Sequence, residues 1–362
     1  MIGIGSLSVH FYENVRFHSC DVHKWSLETM EKIPAEQVKD LLRLVRQPDG
    51  EKTYPLFLMF PKLEVILIGN DVTVADDLLQ RWSTTLTCLC VQARNDAFHW
   101  ERGFRLTCYR GRHVTASLVQ SCGSLQQVYC ENKVDTAVVR LFRPQLTFLT
   151  CDLMSLTDLC RWPAYSGLQS LNLNVETPFT ASDSGASICL PAADYVRIQI
   201  PFSKAFAQSL IPKKRLVKLI LHFTAGRISS ADLLRVLHRV TDVRQLSLQQ
   251  LPGPNTSIGN DVISYVSQTY GSVEELRIQF PGAGFDAATL TSLSTLPNLR
   301  CLMVADGTFD ADSILNFLRS SLSRSTLQRF ILSTHVRVQS RQLTAEINNM
   351  TAHMSLRDVR IA

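Results

Sequence analysis

Apolar and polar residues follow a frame that keeps returning along this chain. Val273-Glu-Glu-Leu276-Arg-Ile278 puts apolar residues at its first, fourth and sixth places. Leu168-Gln-Ser-Leu171-Asn-Leu173, Leu216-Val-Lys-Leu219-Ile-Leu221 and Val243-Arg-Gln-Leu246-Ser-Leu248 repeat it. Successive strand side chains point to opposite faces, so the fourth and sixth residues enter one core and the fifth faces away. Frames begin at Leu63, Leu86, Leu125, Leu146, Leu168, Ala193, Leu216, Val243, Val273, Leu299, Leu327 and Leu356, mostly 21 to 30 residues apart. A weaker one begins at Gly103, carried by Leu106 and Cys108. Cys130 and Cys151 take the sixth place of their frames, where cysteine serves as a small apolar residue.

Between frames the period changes from 2 to about 3.6, which predicts a helix after each strand. Ala231–Val240 carries Leu233, Leu234, Leu237 and Val240 on one stripe. Helices are also expected over 310–318, 261–266, 286–290 and 134–141; the first three open on an aspartate, which suits a helix N-terminus. The opening of the chain fits less well. Ile4-Gly-Ser-Leu7-Ser-Val9 keeps the frame, but residues 14–55 do not, and Ala35–Val45 reads as a helix with Val38, Leu41, Leu42 and Val45 on one side. Residues 1–60 are therefore one or two degenerate repeats with an insertion, continuous with a repeat array over 61–362. No unit of this kind buries its apolar side alone, so neighbours must stack.

The frame with its intervening helices resembles a leucine-rich repeat. The form is the irregular, helix-containing one of ribonuclease-inhibitor-like and F-box/leucine-rich-repeat proteins. The resemblance implies an α/β solenoid, a horseshoe with a parallel inner sheet and outer helices. It also implies a non-catalytic recognition scaffold, one version being the substrate receptor of a ubiquitin ligase. No F-box-like helical segment precedes the repeats, so no adaptor-binding role is carried onto any residue.

In such an array the residues between the core positions line the inner, concave sheet, where a partner binds. The candidates for that face are Arg105, Tyr109, Tyr129, Glu131, Asp152, Asn172, Tyr195, Arg197, Lys218, His222, Gln249, Glu275 and Arg277. The set is polar with interspersed tyrosine and arginine, the types enriched at interface hot spots. Val65, Leu67, Cys88 and Cys90 make the first frames apolar, which suggests either a covered end or a contact surface.

Composition excludes several classes. Hydrophobic residues make up 45% and charged residues 19%, the reverse of a disordered chain. A net charge of +5 is small for a dedicated nucleic-acid binder. No stretch approaches the ~20 apolar residues of a membrane helix, and Met1–Ser6 lacks the basic start of a signal peptide. Asn255-Thr-Ser257 and Asn349-Met-Thr351 fit the glycosylation triplet, which matters only on a secretory route. A reduced cytoplasmic or nuclear protein is the expectation, although ten cysteines also permit a disulfide framework.

Motifs for chemistry are sparse. Pro281-Gly282-Ala-Gly284-Phe-Asp-Ala287 follows a strand and opens a helix, with Asp306 beyond it. It reads as a repeat turn or, alternatively, as a dinucleotide loop. His18, Cys20 and His23 lack a second pair at zinc spacing. Pro212-Lys-Lys-Arg215, with Lys218, Arg197 and Arg277, keeps a nucleic-acid alternative open. No cofactor or metal is expected. The partners are proteins. Without evident caps, the terminal frames could also pair end to end with another copy.

Overall fold

The computed structural model describes residues 42–44, 64–68, 79–80, 82–91, 98, 100, 103–154, 167–180, 188–190, 193–212, 216–240, 243–251, 258–322, 326–334, 345–347, 349 and 358–361. The Ile4 frame, the 18–23 histidine and cysteine group and the Asn255 triplet lie outside these residues, as do Lys213–Arg215. Contacts divide the chain into two compact units: Met1–Asp152 with Trp162–Ala164, and Leu153–Arg161 with Tyr165–Ala362.

The first unit holds β1 (Leu42–Leu44), β2 (Val65–Ile68), β3 (Cys88–Val91), β4 (Cys108–Gly111), β5 (Gln127–Lys133) and β6 (Phe148–Leu153). Each pairs in parallel with the next. Among the described residues two short helices follow strands here, α1 (Ala116–Ser121) and α2 (Thr136–Val139).

The second unit holds β7 (Ser170–Val175), β8 (Ile188–Leu190), β9 (Tyr195–Ile200), β10 (Leu210–Pro212), β11 (Leu216–Phe223) and β12 (Val243–Gln250), then β13 (Glu275–Gln279), β14 (Cys301–Gly307), β15 (Arg329–Thr334) and β16 (Asp358–Ile361). All but β8 and β10 form a parallel sheet in chain order. β8 and β10 pair with one another in a small separate sheet that the frame did not predict. Its helices among the described residues include α3 (Lys204–Ser209), α4 (Ser230–Leu237), α5 (Asn260–Thr269), α6 (Ala287–Leu293) and α7 (Ala311–Leu322). The fold class is thus α/β with all-parallel sheets of sequentially adjacent strands and interleaved helices, as in a leucine-rich-repeat-like solenoid.

Burial follows the frame. In β6, β7 and β9 buried and half-buried residues alternate strictly. The fourth and sixth places are core: Leu171 and Leu173, Val196 and Ile198, Leu219 and Leu221, Leu246 and Leu248, Leu276 and Ile278 are at most 1% exposed. Cys130 and Cys151 are buried in their sixth places as expected.

The helices begin by a common device. Two residues before each first helical residue stands a buried apolar side chain: Val114, Val134, Phe202, Ile228, Ile258, Phe285 and Phe309. The intervening position is a cap. Thr115, Asp135, Ser203, Ser229, Asp286 and Asp310 each accept a backbone N–H from the first turn, and Gly259 takes this place in α5. Four residues into each helix another buried residue follows: Val119, Val139, Ala207, Leu233, Ile263, Leu290 and Ile314. This is the spacing of a hydrophobic staple, which fixes the angle at which chain enters helix.

Three expectations need correction. Residues 42–44, placed in a helix by apolar spacing, form the strand β1 that pairs with β2. β-Propensity is read out by neighbours, and here an adjacent strand supplies them. In α4 the core side is Leu233, Val236, Leu237 and the following Val240, while Leu234 is only half-buried. The helix is short and its cap sets the rotation, so the stripe is shifted from the one read off a longer segment. The Gly103 frame, finally, is displaced by three residues, because Tyr109 and not Leu106 registers with Val128.

Candidate recognition face

The true frame in that region starts at Leu106. Cys108 pairs with Gln127, Tyr109 with Val128 and Arg110 with Tyr129, which fixes the register. Thr107 Oγ1 donates to Thr87 O at 3.1 Å, as Thr87 Oγ1 does to Glu64 O and Thr147 Oγ1 to Gln126 O. These threonines all occupy the second place of a frame, which confirms Leu106 as the first. Tyr109 is therefore a core residue, 1% exposed, with its hydroxyl donating to His113 O at 2.8 Å. It does not belong to the open face. Arg105 is exposed but lies in the turn ahead of β4. The outward residues of this strand are Cys108 and Arg110, which the shifted frame missed.

The open face of the first unit then reads Cys88, Cys108, Gln127 and Phe148 in one row, and Cys90, Arg110, Tyr129 and Thr150 in the next. Tyr129 and Phe148 pack with ring centroids 4.5 Å apart and their planes tilted by 31°. Glu131 is exposed, with Arg112 Nε 3.8 Å away. Asp152 is half-buried and registers with Lys133 across an irregularity in β5.

The second unit carries the larger set. Here the residues read as outward-facing lie on the sheet face opposite the core. Tyr195, Lys218, Gln245, Glu275, Cys301 and Arg329 form one row across the strands. Asn172, Arg197, Ile220, Ser247, Arg277 and Met303 form the second. Gln199, His222, Gln249 and Gln279 form the third. Neighbouring strands lie about 4.8 Å apart, so side chains along a row are in reach of one another. Lys218 Nζ sits 5.4 Å from the centroid of the Tyr195 ring. Gln245 Nε2 donates to Glu275 Oε1 at 3.0 Å, and Gln249 Nε2 to Ser247 Oγ at 2.9 Å. A depression opens among Lys218, Gln245, Glu275, Arg277, Cys301 and Arg329. Burial, and then the Arg197 charge, push the His222 imidazole below its ordinary range. It is thus a neutral donor and acceptor at neutral pH. Burial, then Glu275, raises the Cys301 thiol.

The glycine-bearing loop has the geometry of a repeat turn. Gly282 lies at φ 73°, in the left-handed region that favours glycine. Gly284 N donates to Ile258 O of the preceding repeat at 2.9 Å. The start of α6 is occupied by Asp286, which accepts from Ala288 N and from Asn260 Nδ2. A phosphate approaching there would meet a carboxylate. Among the described residues Asp306 is the non-glycine residue at positive φ, 67°, in an irregularity of β14.

Among the described residues no group of three or more His, Cys, Asp or Glu is placed to hold a metal ion. Nor is any helix among them long and apolar enough to cross a membrane. No protein-family model matches this chain, and comparison with curated proteins gives no match. What the fold and the face define is a class: an α/β, parallel-sheet repeat protein of leucine-rich-repeat-like architecture, with a wide open sheet face.

Proposed function

We propose that this chain is a non-catalytic recognition scaffold that binds a protein partner through the open sheet face of its second unit. The observation that supports this is the row structure. Tyr195, Arg197, Lys218, Glu275, Arg277 and Arg329 sit on four strands, β9, β11, β13 and β15, without being consumed by the core. Tyrosine and arginine on a rigid sheet offer contact area and charge at low entropic cost, the usual make-up of hot spots. Glu275 stands among the cations, and an interspersed acid suits a protein surface better than a phosphate backbone.

Within this reading, the resemblance to F-box/leucine-rich-repeat proteins favours a substrate receptor of a ubiquitin ligase. The test is quantitative capture from cell lysate by the whole chain and by a Tyr195→Ala, Arg197→Glu, Arg277→Glu triple variant. Circular dichroism checks that the variant stays folded. Proteins lost from the variant alone place recognition on this face. Ubiquitin-ligase components retained by both baits favour the receptor version. Identical captures would overturn the assignment to the face. A dinucleotide that binds tightly and is lost in Gly284→Val would replace it with the nucleotide reading.

A further inference from the structure

Seven cysteines have described side chains, none of them in a disulfide, and they divide by environment. Cys122, Cys130 and Cys151 are core residues; burial pushes the Cys122 thiol up to about 12 and Cys151 well above its ordinary value, so neither supplies thiolate. Cys88, Cys90 and Cys108 are half-exposed on the open face of the first unit. Cys88 and Cys108 are direct register partners on adjacent parallel strands. Their side chains therefore leave the sheet on the same side, at the same height, and their thiols are hydrogen-bonded to one another.

We infer that Cys88 and Cys108 are a redox-active dithiol, which hydrogen peroxide converts to an intrachain disulfide linking β3 to β4. This inference is independent of the recognition role proposed above. Paired strands lie ~4.8 Å apart, inside the 4.4–6.8 Å range of Cα separations that a disulfide spans. The other candidate for Cys88 is Cys90, two residues along the same strand. There the Cα separation is about 6.6 Å and the Cβ atoms stand parallel, beyond the ~3.8 Å that the bridge prefers. The three thiols are not disposed to hold a metal.

The surroundings assign the roles. The hydrogen bond from Cys88, then the Arg110 guanidinium, holds the Cys108 thiol below its ordinary range against the opposing effect of burial. The same hydrogen bond, then burial, raises Cys88. Arg110, two residues along the same strand as Cys108, favours the Cys108 thiolate, so Cys108 is assigned the attack and Cys88 the resolving step; the disulfide and its test are the same with the roles exchanged. The Cys108 sulfur attacks one peroxide oxygen, the O–O bond breaks, and hydroxide leaves; Cys108 becomes a sulfenic acid. Cys88 sulfur then displaces the sulfenic hydroxyl. The Cys88 proton ends on a hydroxide, so two thiols and one peroxide give one disulfide and two waters. Two electrons pass from the sulfurs to the peroxide. A disulfide between directly paired strands sits off its preferred Cβ separation, which makes it easily reduced again.

The sequence makes the test direct. Arg81, Arg94, Arg105 and Arg110 let trypsin release residues 82–94, with Cys88 and Cys90, separately from 106–110, with Cys108. The whole folded chain is treated with hydrogen peroxide, blocked with N-ethylmaleimide, and digested without reductant. The expected product is the two peptides joined, lighter by two hydrogens than their sum, and separated again by dithiothreitol. Cys88→Ser and Cys108→Ser should each lower its yield about tenfold or more, while Cys90→Ser leaves it within about twofold. Two separately recovered peptides, alkylated or over-oxidised, would overturn the proposal. So would a link that persists in Cys88→Ser and vanishes in Cys90→Ser. These serine changes are small and half-exposed; circular dichroism before oxidation separates a misfolded variant from an unreactive one.

Discussion

Lys218 and Tyr195 are register partners on β11 and β9, and the lysine ammonium lies 5.4 Å from the centre of the tyrosine ring. The contact occupies the row that also holds Gln245, Glu275 and Arg329. A cation above a half-exposed aromatic face contributes on the order of 0.5–1 kcal/mol. Denaturant unfolding of Tyr195→Ala, Lys218→Ala and the double variant should give a coupling energy of that size. Additive single effects would mean that the two side chains stand side by side without interacting. Neither change touches the core, so each single variant should stay cooperative.

Tyr109 behaves oppositely. It is 1% exposed, and a Cβ added at Gly111 would lie 2.3 Å from its hydroxyl oxygen. Tyr109→Ala should cost about 3–5 kcal/mol, as for other large aromatic truncations. Tyr109→Phe should cost about 1 kcal/mol, for the bond lost to His113 O. Gly111→Ala should cost about 1–3 kcal/mol by overpacking. Arg105→Ala, in the exposed turn, should lie within about 0.5 kcal/mol of wild type. Urea midpoints for these four variants separate core from surface. Equal, small effects at Tyr109 and Arg105 would restore the earlier frame.

That region shows where sequence reading stopped. Twelve frames were legible because leucine, valine or isoleucine fills most of their core places, with alanine, cysteine or phenylalanine at the rest, and β7, β9 and β13 to β16 begin two residues after the frame does. In Leu106-Thr-Cys-Tyr-Arg-Gly111 the fourth place is tyrosine, which reads as amphipathic, and the sixth is glycine, which carries no apolar signal. The glycine leaves room for the tyrosine ring, and the hydroxyl finds a local carbonyl. Each residue hides the other's purpose. The open face of the second unit was legible for the converse reason: strand alternation leaves no choice once two leucines are placed. The starts of α1 and α3 were missed because these helices are too short to show a period. The signal that marks them, an apolar residue, then a cap, then an apolar residue at the fourth helical place, is a spacing of local chemistry instead.

His222 gives the face a pH dependence. Burial, then Arg197, lowers its folded-state pKa below the ordinary 6.5. Above the unfolded value both states are neutral and stability does not change. As pH falls below 6.5 the unfolded chain binds the proton first, so stability declines until the folded-state pKa is passed. His222→Gln should remove this component, and the difference between the two unfolding curves should be flat above pH 7 and open below it. A difference that grows toward alkaline pH would contradict the assigned direction.

Tyr270 joins consecutive repeats on the helical side. The residue is fully buried at the end of α5, and its hydroxyl donates to Leu237 O at 2.6 Å, at the end of α4, and to Val240 O at 3.0 Å, just past it. Leu237 O, the last carbonyl of α4, also accepts the Val240 N–H, and Val240 O lies just beyond the helix. One side chain therefore satisfies the close of one repeat from within the next, and burial raises the phenol so that it remains the donor. Tyr270→Phe keeps the ring and removes only the donor. It should cost about 1–3 kcal/mol, more than the hydroxyl loss at Tyr109, because two buried acceptors lose it together. Hydrogen exchange should locate the loss at the α4–β12 turn and the C-terminal end of α5. A loss of protection spread evenly over the second unit would mean that this bond is not a local joint between repeats.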